Sequence, residues 1–345
     1  MISVQKSIFT CDGVKKQILS QYVFLTSYEC TFHLPGVNDT YKIINDTTTY
    51  YLRIYTHKWR KLEHIASEVK LLTHLYEHKV RVSKPIMNSK GEYIIEVDAP
   101  EGKRYAVLFE AIDGADVDKL LNIEQLTSYG KSAAAIHIES DKLDKLNRFD
   151  LDMNYLIYEP LKYIKTIFPN REEDNNYLYE TATKLKNTIF DLSLKEELNF
   201  GICHGDFNNG NISIDSSNNI SVFDFDCFGY GWRAYDLAGF LWSRVSFNKW
   251  SETDKKIRMQ SFKIFLKAYF ETIPINKNEI LAAFVFVPIR HIWVMGLNAN
   301  NTHNTGNARM DNYYYDIHLK FFKRWIDYYG ILQKETLDWD IIKKK

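Results

Sequence analysis

Three side chains in one short stretch carry the chemistry most plainly: Asp206, Asn211 and Asp224. They stand in the run His204-Gly205-Asp206-Phe207-Asn208-Asn209-Gly210-Asn211 and its continuation to Asp226. Hard cations such as Mg2+ take oxygen ligands, keep several waters, and bind through one or two carboxylates plus substrate phosphates. Asn211 and Asp224 suit that purpose. Asp206, close by and not needed for a metal, suits the acceptance of a hydroxyl proton. The bland alternative for a bare Asn and Asp is a surface hairpin with ordinary Asx turns.

The elements that must position this trio are legible. Ile212 to Ile214 and Ile220 to Phe223 are short apolar runs, and Asp215-Ser216-Ser217-Asn218-Asn219 between them is a dense turn signal. That pattern is a β-hairpin. In simple register Asn211, at the start of one strand, faces Asp224, at the end of the other, and Asp206 lies on the Gly-containing loop just before. One local fold thus gathers two carboxylates and an amide oxygen at its open end.

The spacing His-Gly-Asp-x4-Asn, then strand, turn, strand and Asp, is a kinase-type catalytic loop followed by a metal loop. With Phe223-Asp224-Phe225-Asp226 and Gly229-Tyr230-Gly231-Trp232-Arg233-Ala234-Tyr235-Asp236-Leu237-Ala238, the chain resembles the aminoglycoside phosphotransferase-like family. That family includes choline kinases, type II homoserine kinases and bacterial stress-response kinases. The resemblance implies an α+β, bilobal protein-kinase-like fold, with a small N-lobe of antiparallel sheet and one main helix and a larger, mainly helical C-lobe. It implies transfer of the γ-phosphoryl group of ATP or GTP, with Mg2+, to the hydroxyl of a small molecule. By the same resemblance Asp206 is the catalytic base, Asn211 and Asp224 bind Mg2+, and His204 and Asp236 support the catalytic loop. Asp226 is either a supporting group or merely polar.

In the first part of the chain, Ile18, Leu19, Tyr22 and Val23 follow a helical pattern within residues 1 to 25. Strands are expected at Tyr28 to Leu34, Tyr41 to Ile44 and Thr49 to Tyr55. The turn between the first two resembles the family's nucleotide loop, with Gly36, Asn38 and Thr40 offered to phosphate. Kinases carry a Lys in the third strand; here the position is Arg53, which keeps the charge but is not interchangeable with Lys. Glu63 to His78 is an amphipathic helix with Ile65, Val69 and Leu72 at helical steps. Its Glu68 is the expected partner of Arg53, with Glu63 as the fallback. The strand Tyr105 to Ile112 leads into a hinge, where backbone groups of Phe109, Glu110 and Ala111 would meet the adenine edge. The expected division is 1–111 and 112–345.

Beyond it the pattern is helical: Ile123 to Ser140, Met153 to Ile167, Asn176 to Leu192, Leu237 to Phe247 with Trp242 and Arg244, Ile257 to Tyr269, Ile280 to Asn298 and Asn312 to Tyr329. His137 reads as a core residue. Arg290 and His291 either face the acceptor or are paired interior residues. Thr302 to Met310 reads as a mobile loop, and Lys343 to Lys345 as a frayed tail.

Composition bounds the partners. Among 345 residues, 44 Lys plus Arg balance 44 Asp plus Glu, so nothing points to nucleic acid or an acidic membrane surface. The four cysteines form no CxxC pair, which argues against a zinc site or disulfide framework. No signal peptide is read at the N-terminus, and no run approaches the ~20 apolar residues of a membrane helix. A cytoplasmic enzyme with a nucleoside triphosphate and a small hydroxyl acceptor is the reading; the acceptor is an amino alcohol, a homoserine-like metabolite, a sugar or an aminoglycoside-like antibiotic. The competing readings are a Ser/Thr protein kinase of the stress-response type and a nucleotide-binding scaffold without catalysis.

Overall fold

A computed structural model describes residues 2–45, 48–115, 120–243, 250–306 and 310–332; Arg244 and the Lys343–Lys345 tail lie outside them. The chain divides into two compact units. Unit 1 comprises Met1–Gly114, Leu143–Arg148 and Ser221–Asp226, and unit 2 comprises Ala115–Lys142, Phe149–Ile220 and Cys227–Lys345.

Unit 1 is built on an antiparallel sheet. Its strands are β1 (Glu29–Pro35), β2 (Asp39–Ile44), β3 (Thr49–Ile54), β4 (Pro85–Ile86), β5 (Ile94–Ala99) and β6 (Gly102–Glu110), in the order β1-β2-β3-β6-β4, with β5 also on β6. Alternation sets the faces: Leu52 and Ile54 of β3 are buried on one side, while Arg53 projects from the other. Helix α1 (Cys11–Gln17) and a 3-10 turn at Leu19–Gln21 precede the sheet. Their Val14, Ile18, Leu19 and Tyr22 join Tyr41, Ile43, Leu52, Ile54, Ala106 and Leu108 in one core. Each such large side chain contributes about 1.5–3 kcal/mol on burial. Val23, expected on the same helical face, is exposed because the helix ends before it.

Helix α2 (Leu62–Glu77) buries Ile65, Val69, Leu71, Leu72 and Leu75 as its periodicity requires. Glu68 lies inside that apolar stripe and is itself fully buried. A carboxylate there is costly unless paired, so its partner is decisive.

Unit 2 is mainly helical: α3 (Ile123–Ser140), α4 (Glu159–Ile167), α5 (Glu172–Lys195), α6 (Ala234–Ser243), α7 (Glu252–Phe270), α8 (Lys277–Thr305) and α9 (Asn312–Leu332). Asn122 and Gln125 close a capping box at the start of α3. Helix α8 is the axis, packed by α4, α5, α6 and α9. Its Gly296 lies against Pro160 of α4, where any Cβ would collide with the proline.

By length and composition α8 would suffice to cross a membrane, which its interrupted sequence did not suggest, yet 83% of its most apolar stretch is buried inside the protein. It also runs on to Thr305, so the first part of the expected Thr302–Met310 loop is helical. The tightly packed body of the helix propagates into its polar end, where Thr302 Oγ1 donates to the Ala299 carbonyl (2.8 Å).

Strands β7 (Phe200–Cys203) and β10 (Gly229–Trp232) pair antiparallel across the catalytic segment. Neither is evident in the sequence: glycine weakens both strand signals, and their pairing is non-local. Strands β8 (Ile212–Ile214) and β9 (Ile220–Val222) form the expected hairpin where the chain passes from unit 2 to unit 1.

Candidate active site

The candidate residues form two constellations, one in each unit. The first lies in unit 2, on the loop between β7 and β8. Asp236, in the first turn of α6, accepts the backbone N–H of His204 on Oδ2 (2.6 Å) and of Gly205 on Oδ1 (2.9 Å). Gly205 has φ +78, and a Cβ there would run into the Cys227 carbonyl, so glycine is required. Behind Asp236 stands His137, with Nε2 3.0 Å from Oδ2 and Nδ1 2.9 Å from the Tyr269 hydroxyl. Burial outweighs the carboxylate and lowers the His137 pKa, so the ring is neutral at pH 7, donating from Nε2 and accepting from Tyr269 at Nδ1. Asp236 is buried too, which by itself raises its pKa. The hydrogen bond from His137 and the backbone N–H of His204 outweigh that and hold the Asp236 pKa below the ordinary carboxylate value. His137, read from sequence as a core residue, is therefore the brace of the brace.

Asp206 follows on this loop, its side chain 25% exposed. Oδ2 accepts Asn211 Nδ2 at 2.7 Å, and the same nitrogen reaches the Asp206 carbonyl at 2.9 Å. Oδ1 accepts Asn208 Nδ2 at 2.8 Å and an Nη2 bond from Arg290. With the Asn211 nitrogen spent on Asp206, its Oδ1 is the atom left to ligate a cation. Arg290, on α8, is fully buried; its Nη1 also donates to the Gly205 carbonyl at 3.2 Å. Burial acts to lower its pKa, but Asp206 outweighs it and raises the value above the ordinary one.

His291 beside it is interior. Its Nδ1 accepts the Trp242 indole N–H at 3.2 Å, and it stacks on His318 and Phe321. Burial and His318 hold its pKa well below the usual histidine value, so it remains neutral.

The second constellation lies in unit 1. Arg53 donates Nη1 to Glu68 Oε1 (2.7 Å) and Nη2 to Asp224 Oδ1 (2.8 Å), with its guanidinium over the Phe109 ring at 5.2 Å. The Tyr55 hydroxyl supplies Glu68 Oε2 at 2.9 Å. The ion pair is thus the one expected, and Glu63, the fallback, is exposed. Burial raises the Glu68 pKa despite Arg53. Asp224 has φ 64, a left-handed conformation that Asp tolerates better than most residues, and its side chain is 44% exposed. By donor type, each group by itself suits a hard divalent cation: the partly exposed Asp224 carboxylate in unit 1 and the Asn211 amide oxygen in unit 2.

Asp226 proves to be a structural hub. Oδ2 accepts Trp59 Nε1 (2.6 Å) and Asn38 Nδ2 (3.0 Å), Oδ1 accepts Arg60 Nε (3.0 Å), and its carbonyl takes Arg60 and Arg148. Burial works to raise its pKa, yet Arg60, Arg53 and Arg148 with the Trp59 bond bring it down to about 2. Nothing in the sequence marked Trp59, Arg60 or Arg148 as its partners, because they come from separate segments.

Two expectations for nucleotide contacts need correcting. Asn38 is spent on Asp226 and on the Thr56 N–H (3.1 Å), and the Gly36 N–H donates to the Asn38 carbonyl. Those two groups fasten the turn and are not free donors for phosphate; Thr40 sits within β2, opposite Arg53. At the expected hinge, the Glu110 N–H donates to the Lys84 carbonyl and the Ala111 N–H to the Thr49 carbonyl, both at 2.9 Å. These two N–H groups are spent inside unit 1, and Phe109 instead stacks on Arg53.

Unit 2 thus holds a partly exposed carboxylate, Asp206, on a loop braced by Asp236, and unit 1 holds the buried Arg53–Glu68 pair. Residues 34–262 match the phosphotransferase enzyme family. The chain is also 30% identical to an uncharacterised protein of Deinococcus radiodurans over 313 residues, covering 91% of this chain and 89% of that one. The chain belongs to the phosphotransferase enzyme family and is a kinase with an alcohol group as acceptor. Among solved structures it is similar to a microcompartment-associated aminopropanol kinase (TM-score 0.72, 19% identity, 92% of this chain and 98% of that one). It is also similar to an amicoumacin kinase in complex with AMP-PNP, Ca2+ and Ami (TM-score 0.70, 17% identity, 94% and 97%).

Proposed function

We propose that the protein transfers the γ-phosphoryl group of ATP to the hydroxyl of an amino alcohol or of an amicoumacin-type antibiotic, with Mg2+ as the metal. The carrying observation is Asp206, partly accessible and fixed at both carboxylate oxygens by Asn208, Asn211 and Arg290. The acceptor class is supported by the likeness to an aminopropanol kinase and an amicoumacin kinase. ATP rather than GTP follows the AMP-PNP bound in the latter.

Phosphoryl transfer asks little covalent chemistry of a protein and much positioning. In this reading Asp206 orients the acceptor hydroxyl and takes its proton. Arg53, aimed by Glu68, grips phosphate oxygens as the usual lysine does. Asn211 and Asp224 would hold Mg2+, which when bound neutralises phosphate charge. His204, Gly205 and Asp236 keep the loop in shape.

The test is Mg2+-dependent ADP release by the purified protein against aminopropanol, ethanolamine, choline, homoserine, amicoumacin, aminoglycosides, sugars and a generic protein substrate. Turnover raised well above background by an amino alcohol or amicoumacin supports the reading. Stimulation only by protein, or none by any acceptor with ATP bound, contradicts it.

A further inference from the structure

We propose that Arg290 is a positioning residue for the phosphotransferase reaction, holding Asp206 Oδ1 so that Oδ2 is the oxygen presented to the acceptor hydroxyl. This rests on the reading of Asp206 as the base.

The geometry is one-sided. Oδ1 is crowded by Arg290 Nη2 and Asn208 Nδ2, whereas among the described residues Oδ2 takes a hydrogen bond from Asn211 Nδ2 alone. A carboxylate oxygen has room for another donor beyond one amide. Arg290 cannot swing away easily. Its guanidinium lies 4.9 Å from the Trp242 ring centre, 5.8 Å from Trp293 and 6.0 Å from Tyr235, and Nη1 is tied to the Gly205 carbonyl. Arg290 thereby ties the base to the backbone of the residue before it, making one rigid unit of loop and carboxylate.

Stability alone explains this arrangement poorly. A buried ion pair is often no better than apolar residues of the same volume, and Arg290 is the one Asp, Glu, Lys or Arg among residues 280–296 of α8, whose other polar side chain is the neutral His291. Asp206 stays partly exposed and needs no buried cation to be hydrated. A function in aiming the carboxylate accounts for a cost that packing does not require.

The experiment compares wild type with Arg290→Lys, Arg290→Gln, Asp206→Asn and the double variant Asp206→Asn/Arg290→Gln. It reads kcat, the KM for ATP, and folded fraction by near-ultraviolet circular dichroism. Expected is a fall in kcat of about ten- to a hundredfold per folded molecule for both Arg290 variants, since small misplacements of a reacting group cost that much. The KM for ATP should move less than about threefold, and Lys should not rescue, because it cannot bond two oxygens in the Arg290 geometry. In the Asp206→Asn background the Arg290→Gln change should add almost nothing, as residues acting as one unit are non-additive.

Were the Arg290 variants to keep full kcat while Asp206→Asn is inactive, the proposal alone would fall. Activity loss that only tracks loss of folded protein in every variant would also overturn it. If Asp206→Asn retains turnover, the assignment of the base fails, and this proposal with it.

Discussion

Asn211 Nδ2 lies 2.7 Å from Asp206 Oδ2 and 2.9 Å from the Asp206 carbonyl, so one amide nitrogen fixes both the carboxylate and the backbone of Asp206. The two roles expected of these residues, proton acceptor and cation ligand, are joined in a single hydrogen-bonded unit. A change at Asn211 should therefore be felt twice.

On the proposed reading, Asn211→Ala removes both a metal ligand and the fastening of Asp206. The expected result is a rise of at least about tenfold in the Mg2+ concentration for half-maximal rate, on the scale of lost metal-site partners, together with a lower kcat. Titrating Mg2+ at saturating ATP and acceptor measures both. An unchanged Mg2+ requirement would remove Asn211 from the metal site.

Arg53 gives a second prediction. Arg53→Met leaves Glu68 fully buried without the guanidinium that pairs with it, keeping among the described residues the Tyr55 bond. Breaking a buried pair costs about 3–5 kcal/mol, so the melting temperature should drop and the KM for ATP should rise. Arg53→Lys keeps the charge but reaches Glu68 and Asp224 less well together, and should retain more ATP affinity than Met. Equal KM values in wild type and Arg53→Met would exclude Arg53 from phosphate binding.

A pH effect on stability should come from Glu279, in the first turn of α8. Its Oε2 accepts the Asn199 N–H and Nδ2 at 3.0 and 2.9 Å, while Oε1 is buried without a hydrogen-bond partner among the described residues. Burial pushes its pKa from 4.5 up to about 7, against the pull of Asn199 and Arg233. Between those values the folded state holds a proton that the unfolded state has lost, so stability falls as pH rises from about 4.5 to 7. The loss is up to about 3 kcal/mol. Glu279→Gln should flatten this dependence and melt higher than wild type at pH 8; a lower melting temperature there would show that the charged form is favoured.

Asp226 should behave in the opposite sense. Its folded pKa of about 2 lies below the ordinary 3.8, so its contribution is present above about pH 4 and is lost as pH falls toward 2. Asp226→Ala removes the carboxylate that accepts from buried Arg60, Trp59 and Asn38 and should cost about 3–5 kcal/mol at neutral pH, measured by urea unfolding. A change under 1 kcal/mol would deny Asp226 its role as hub.

What the sequence made legible follows interaction range. The catalytic string, the β8–β9 hairpin and the amphipathic α2 are local patterns, and each appears at the expected place. Glu68 was identifiable only because the order of elements named a helix to search. Arg290, His137 and the Arg60–Arg148 grip on Asp226 depend on side chains meeting across long sequence separations, from 78 residues for Arg148–Asp226 to 166 for Arg60–Asp226. A lone arginine within an apolar helix was a signal for Arg290 in hindsight, since such a charge must find a partner. The turn at Gly36 misled in the other direction: its residue types suit phosphate, but Asn38 and the Gly36 N–H are already engaged.

The most direct test of the central claim is single-turnover phosphorylation of the best acceptor by wild type and Asp206→Asn, at saturating ATP and Mg2+. Asparagine keeps an oxygen for Arg290 but cannot take the hydroxyl proton. The account predicts a rate lowered by about 10²–10⁴-fold, with ATP affinity and folded fraction close to wild type. A rate within a few-fold of wild type would contradict it, and the reaction would need another base.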